Sequence, residues 1–135
     1  MNKTATDQEV KKHLKKLNGY EYSLLSNICD QTKVSINNLV SQIRKPEFVN
    51  ARKIAVYFLL KKGYKLETAG EVISIIPKDH TSVIHLNKKA HDHYECEPYF
   101  KNMIDNIDVM TSTTDFTSLK YRKIIWKSNK QQLNG

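Results

Sequence analysis

The sequence predicts an all-α protein, a helical bundle with a helix-turn-helix embedded in it. Three observations lead there. Apolar residues recur at helical intervals along most of residues 7–108, and no stretch alternates as a strand would. One segment, 46–62, is apolar around enough of its circumference to be a central core helix. Beyond it, two shorter helical patterns are separated by a turn, and two such helices packed on a longer apolar one are the parts of a helix-turn-helix.

Taken in order, residues 1–19 are polar and basic. Asp7 is placed to cap a helix with Val10, Leu14 and Leu17 on one side and Lys11, Lys12, Lys15 and Lys16 around the rest. Three apolar positions make a thin stripe, so the expectation is a solvated helix docked weakly on the domain. A non-specific phosphate-binding arm is the functional alternative. Asn18-Gly19 reads as a turn. Residues 20–32 form a second helix, with Leu24, Leu25, Ile28 and Cys29 at helical intervals. Ser35 caps a short third helix through Val40, and a connector, Ser41 to Lys45, follows. Pro46 suits the first turn of the next helix, and Lys45 before it is expected to be extended.

The 46–62 helix carries Phe48, Ala51, Ala55, Phe58 and Leu59 on one face, widened by Val49, Ile54, Val56 and Leu60. It ends in Lys61-Lys62-Gly63, a basic last turn with a glycine stop. Leu66 to Ile73 is a short helix and Ser74 to Lys78 a turn. Asp79 is a good N-cap for a patterned helix that runs on to His93. Glu97-Pro98 can open a last helix striped with Phe100, Met103, Ile104 and Ile107. After Asp108 the pattern fades. Thr111 to Asp115 reads as a linker and Leu119 to Trp126 as a short basic, aromatic tail. The organisation expected is a basic arm over 1–19, a helical domain over 20–108 and a tail over 109–135.

Lys and Arg number 22 against 14 Asp and Glu, a net charge of +8. That excess favours a polyanionic partner, nucleic acid before anionic membrane. No apolar run approaches the roughly 20 residues that span a bilayer, and the first residues lack an apolar signal core. The expectation is a cytoplasmic protein associated with the nucleoid. Cys29 and Cys96 are far apart with no CxxC spacing and read as two reduced thiols.

The helix that starts at Asp79 can be resolved by angle. At about 100° per residue, Val83, Leu86 and Ala90 point one way, and Thr81, His85, Lys88, Lys89 and Asp92 largely the other. The outward face is polar and mostly basic, and its first turn holds short hydrogen-bonding side chains. Major-groove recognition helices are built so, with the first turn at base edges and flanking cations at phosphates. An ordinary amphipathic surface helix has the same pattern, and the angles alone do not separate the two.

Arg44, then Phe48-Val49-Asn50-Ala51-Arg52-Lys53-Ile54-Ala55-Val56-Tyr57-Phe58-Leu59, then Leu66 through Ala69-Gly70, then Asp79-His80-Thr81-Ser82-Val83-Ile84-His85 resemble the C-terminal DNA-binding domain of the DnaA-type chromosomal replication initiator. The "AR-x-IA" and "DHTSVIH" runs carry the likeness, in the family's order and nearly its spacing, over roughly residues 20–108. The resemblance implies an all-helical, Trp-repressor-like helix-turn-helix domain that binds double-stranded DNA. It implies that Asp79, His80, Thr81 and Ser82 make or support major-groove contacts. Arg44 is implied at the adjacent minor groove, where negative potential draws a cation. Arg52 holds a family position near DNA. Lys53 stands where well-studied members often have glutamine, which turns the expected contact towards phosphate. Lys78, His85, Lys88 and Lys89 complete the expected surface, Lys88 and Lys89 as phosphate ligands by their chemistry.

Three departures from the family pattern stand out. The turn Ser74 to Lys78 replaces a glycine-rich one and is about two residues longer. Ala69 stands where the family usually has isoleucine. Glu67 replaces a residue that in some members helps read a base. These changes leave open a DNA site different from the initiator's own. No GxxxxGK[ST] motif occurs, so neither the initiator's ATPase module nor a bound nucleotide is expected. The chain reads as a free-standing DNA-binding relative, with replication, copy-number control and transcription all open as its process.

Two other readings compete with DNA binding. His85, His91, His93, Glu95 and Cys96 invite a metal site. On a helix, however, His91 and His93 diverge by about 200°, and no second ligand pair has suitable spacing. No metal or other cofactor is therefore expected. His80 has no candidate partner for acid-base work beyond Asp79, which the cap explains, so the chain is not expected to be an enzyme. The remaining alternative is a helical protein-interaction adaptor that kept the fold without DNA binding.

Overall fold

In a computed structural model, which describes residues 5–112, α4 (Pro46–Lys61) is the helix on which the others are assembled. Phe48, Ala51, Ile54, Ala55, Val56, Tyr57, Phe58 and Leu59 are all buried, so it offers apolar surface in several directions. It packs on α2 (Gly19–Thr32), α3 (Ile36–Leu39), α5 (Leu66–Val72) and α6 (His80–Cys96). The last helix among the described residues, α7 (Pro98–Ser112), lies against α2 and α6, while α1 (Asp7–Lys15) lies against α3. There is no strand among the described residues.

The helix ends follow from local chemistry. Lys45 is extended (φ −65°, ψ 143°) and Pro46 opens α4, where its missing N–H goes unused. Gly63 ends it at φ +104°. The Tyr64 N–H donates to the Leu59 carbonyl and that of Gly63 to the Leu60 carbonyl, both at 3.0 Å, which satisfies carbonyls the helix leaves open. Ser35 caps α3 through the Asn38 N–H at 3.2 Å. Asn18 caps α2, and Glu21 returns a bond to the Asn18 N–H at 3.0 Å.

The N-terminal helix differs from its expectation in two ways. Thr6, not Asp7, is the cap: its Oγ1 accepts from the Glu9 N–H at 3.2 Å, and the Glu9 carboxylate accepts from the Thr6 N–H at 3.0 Å. Asp7 instead accepts from Asn37 Nδ2 at 2.9 Å. Nor is α1 weakly docked. Val10, His13, Leu14 and Leu17 are buried, and His13 Nε2 bonds the Val72 carbonyl at 2.9 Å. The buried histidine supplies the width that a stripe of three aliphatic residues lacked. The lysines of α1 remain exposed.

Two other helices run further than expected. α6 continues from His93 to Cys96, and α7 continues past Asp108 to Ser112. Thr111 is buried and accepts from Asn27 Nδ2 of α2 at 2.9 Å, a partner that reading local polarity could not supply. The remainder of the expected linker and the basic, aromatic run Leu119 to Trp126 lie outside the described residues. Cys29 is buried in α2, where burial pushes its thiol far above the ordinary value, and Cys96 is exposed; both are free. None of the described helices is long and apolar enough to cross a membrane.

Candidate nucleic-acid interface

The helix-turn-helix consists of α5, the turn Ile73 to Asp79, and α6. Its tightness depends on Gly70. A Cβ there would lie 2.4 Å from the Lys78 carbonyl oxygen and 3.4 Å from Val83 Cγ2, so only glycine lets the turn close on α5. The Lys78 N–H donates to the Gly70 carbonyl at 3.2 Å. On its other side the turn is fastened to the end of α3: the Ile75 N–H donates to the Val40 carbonyl at 3.0 Å, and the buried Ser74 Oγ reaches the same oxygen at 3.5 Å. The turn thus buries Ile73 and Ser74 and is tethered to α3, leaving Ile76 and Pro77 outside.

Asp79 starts α6 as expected. Its Oδ1 accepts from the Ser82 N–H at 2.7 Å. Hydrogen bonds from Ser82 hold its carboxyl below the ordinary carboxylate value. Val83 and Ala90 face the core, while Thr81, His85, Lys88 and Lys89 are exposed. His80 is exposed on the first turn, with Lys78 and Ser82 half-buried beside it.

A hollow of about 210 Å³ connects this helix start to the α3–α4 connector. Arg44, Val49, Arg52, Lys78, Ser82, His85, Leu86 and Lys89 line it. Six of these are expected site residues, and they come from three separated stretches of chain. The apolar lining, Val49 and Leu86, carried no sequence signal, because both read as ordinary members of core-facing stripes. Cations dominate the hollow. Burial, Arg52 and Arg44 all push the Lys78 ammonium below its ordinary value, and Asp79 opposes them only in part. Burial and then Arg44 push the Arg52 guanidinium down to about 10. Partly buried cations gathered in this way create a field that an anion relieves.

Two expected DNA contacts depart from a DNA-facing placement. Arg52 is 2% exposed. Its Nε donates to the Leu39 carbonyl at 2.6 Å, and its Nη2 donates to the Asn38 carbonyl at 2.9 Å and the Ser41 carbonyl at 2.7 Å. These carbonyls lie at the end of α3 and the start of the connector, where a cation is also favoured by the helix dipole. Ser41 Oγ donates to the Asn38 carbonyl at 2.7 Å and accepts from the Ile43 N–H at 3.2 Å. The connector is therefore shaped by Arg52, and it delivers Arg44, which is exposed.

Lys53 is 5% exposed. Its ammonium meets His93 Nδ1 near the end of α6 and lies 5.0 Å from the centre of the Phe100 ring. Burial, helped by Lys89, holds it below its ordinary value. The side chain follows the face of α4 that packs on the α6–α7 junction. His91 stacks obliquely on Tyr57, with ring centres 5.0 Å apart. Among the described residues no three His, Cys, Asp or Glu side chains are grouped to hold a metal.

A helical domain whose second helix-turn-helix helix presents a polar, cationic outer face beside a cationic hollow belongs to the class of helix-turn-helix proteins. The family model for the bacterial dnaA protein helix-turn-helix matches residues 23–90, about half of the chain. This chain belongs to that family, whose helix-turn-helix implies DNA binding. No curated protein and no solved structure matches it.

Proposed function

We propose that the chain binds double-stranded DNA sequence-specifically, with the first turns of α6 in the major groove and Arg44 in the adjacent minor groove. In this reading residues 20–108 carry the binding surface, flanked by the 1–19 and 109–135 segments. Asp79 holds the helix start, and His80, Thr81 and Ser82 meet base edges. His85, Lys78, Lys88 and Lys89 meet phosphates or the groove edge. Arg52 and Lys53 act from the interior: Arg52 by setting the connector that carries Arg44, and Lys53 by packing beneath the far end of α6.

The observation that carries the reading is the hollow, where Arg44, Lys78, Ser82, His85 and Lys89 converge from separate segments. A pure scaffold has no packing reason to gather like charges in one hollow. A labelled-duplex titration at several salt concentrations tests it. Specific affinity is expected to fall steeply with salt, each phosphate neutralised adding about 0.9 to the logarithmic slope. Lys89→Ala is expected to weaken all sequences alike and to lower that slope by about 0.9. Thr81→Ala is expected to reduce discrimination between sequences by about 1 kcal/mol and to leave the slope unchanged. Absence of binding at low salt would remove the DNA reading and favour the adaptor.

A further inference from the structure

Ile84 is 51% exposed, one of four large hydrophobic side chains so exposed among the described residues. The others, Ile76, Tyr99 and Val109, lie in the turn before α6 or on α7. Ile84 alone stands on the outward face of α6. With Thr81 as origin and about 100° per residue, Ile84 falls about 60° to one side and Lys88 about 20°. The buried Val83 and Ala90 lie about 160° and 180° away. Ile84 therefore follows His80 and Thr81 by one helical turn and precedes Lys88 by one.

Nothing among the described residues accounts for an isoleucine there. A β-branched residue is a poorer helix former than the lysine or glutamate that suits an exposed position. Its neighbours on that face are hydrogen-bonding or cationic, and among the described residues it joins no apolar cluster. The charge around it selects a polyanion as the covering partner. The apolar group that a duplex offers in its major groove is the C5-methyl of thymine.

We infer that Ile84 reads a thymine by packing on its C5-methyl, and so sets part of the sequence preference. The inference rests on the proposed major-groove docking of α6. The thymine lies next to the bases met by His80 and Thr81, because Ile84 is one turn further along the helix.

The test uses a duplex enriched from a random pool, in which each thymine is replaced in turn by uracil. Uracil pairs identically and lacks only the methyl group. For the unaltered protein one replacement is expected to weaken binding about fourfold, the value of one buried methyl-sized group. Ile84→Ala is expected to bind the parent duplex more weakly by a similar factor and to be indifferent to uracil at that position. Ile84→Leu is expected to keep part of the sensitivity. Urea unfolding of Ile84→Ala is expected to match the parent, since the side chain supports no core contact. If the duplex is bound specifically but the uracil effect is the same with Ile84 and with alanine, this inference is wrong and the docking stands. If no duplex is enriched or bound, both fall together.

Discussion

Arg44 and Arg52 stand eight residues apart and line the same hollow, yet their side chains are placed in opposite ways. Arg44 sits on an extended connector with its side chain exposed. Arg52 is enclosed, with its guanidinium bound to the carbonyls of Asn38, Leu39 and Ser41. The exposed arginine follows a connector whose carbonyls the buried one holds, and in the proposed reading that leaves it available to DNA. Whether a motif cation recognises or supports is decided by which carbonyls the fold leaves open nearby, not by residue type.

Removing the bound arginine is the largest break in this contrast. Arg52→Ala is expected to lower the free energy of unfolding by about 3 kcal/mol in urea titrations, because buried carbonyls lose a charged donor. Arg52→Lys is expected to recover only part of that, since an ammonium lacks the planar fork. Gly70→Ala, which drives a Cβ against the Lys78 carbonyl, is expected to cost about 2 kcal/mol and to weaken DNA binding by moving the helix start.

Arg44→Ala should sharpen the contrast from the other side. Its unfolding free energy is expected to stay within about 0.5 kcal/mol of the parent, while specific affinity drops about tenfold, or roughly 1.4 kcal/mol. A large stability loss in this variant would erase the distinction between the two arginines. The smallest effect belongs to His13, which fastens α1 to the last residue of α5. Burial, with Lys16 adding to it, holds its imidazole below the ordinary 6.5 despite the Val72 carbonyl and Glu21. The unfolded chain therefore binds the proton more readily. This contribution is full above about pH 6.5 and is lost as pH falls through the folded-state value. His13→Gln keeps a donor for Val72, and thermal unfolding from pH 8 to 5 is expected to show a shallower fall for it than for the parent.

The helices, the Asp79 cap and the Pro46 and Gly63 boundaries were legible because each depends on neighbours in sequence. The Thr6 cap was obscured by Asp7, an equally good capping residue one position on. The true length of α7 and the firm seat of α1 depended on Asn27–Thr111 and His13–Val72, pairs far apart in the chain. At the site, the exposed first turn of α6 follows from periodicity and capping. The burial of Arg52 and Lys53 does not, because the carbonyls of α3 and the α6–α7 junction reach them only through the tertiary fold.

The most direct measurement is parallel enrichment of bound sequences from a random duplex pool with the parent protein and with Arg44→Ala. The account predicts that both enrich the same core sequence, read by α6, and that only the parent adds an A·T preference at positions flanking it. A parent that enriches no sequence, or an Arg44→Ala variant whose flanking preference is unchanged, would contradict it.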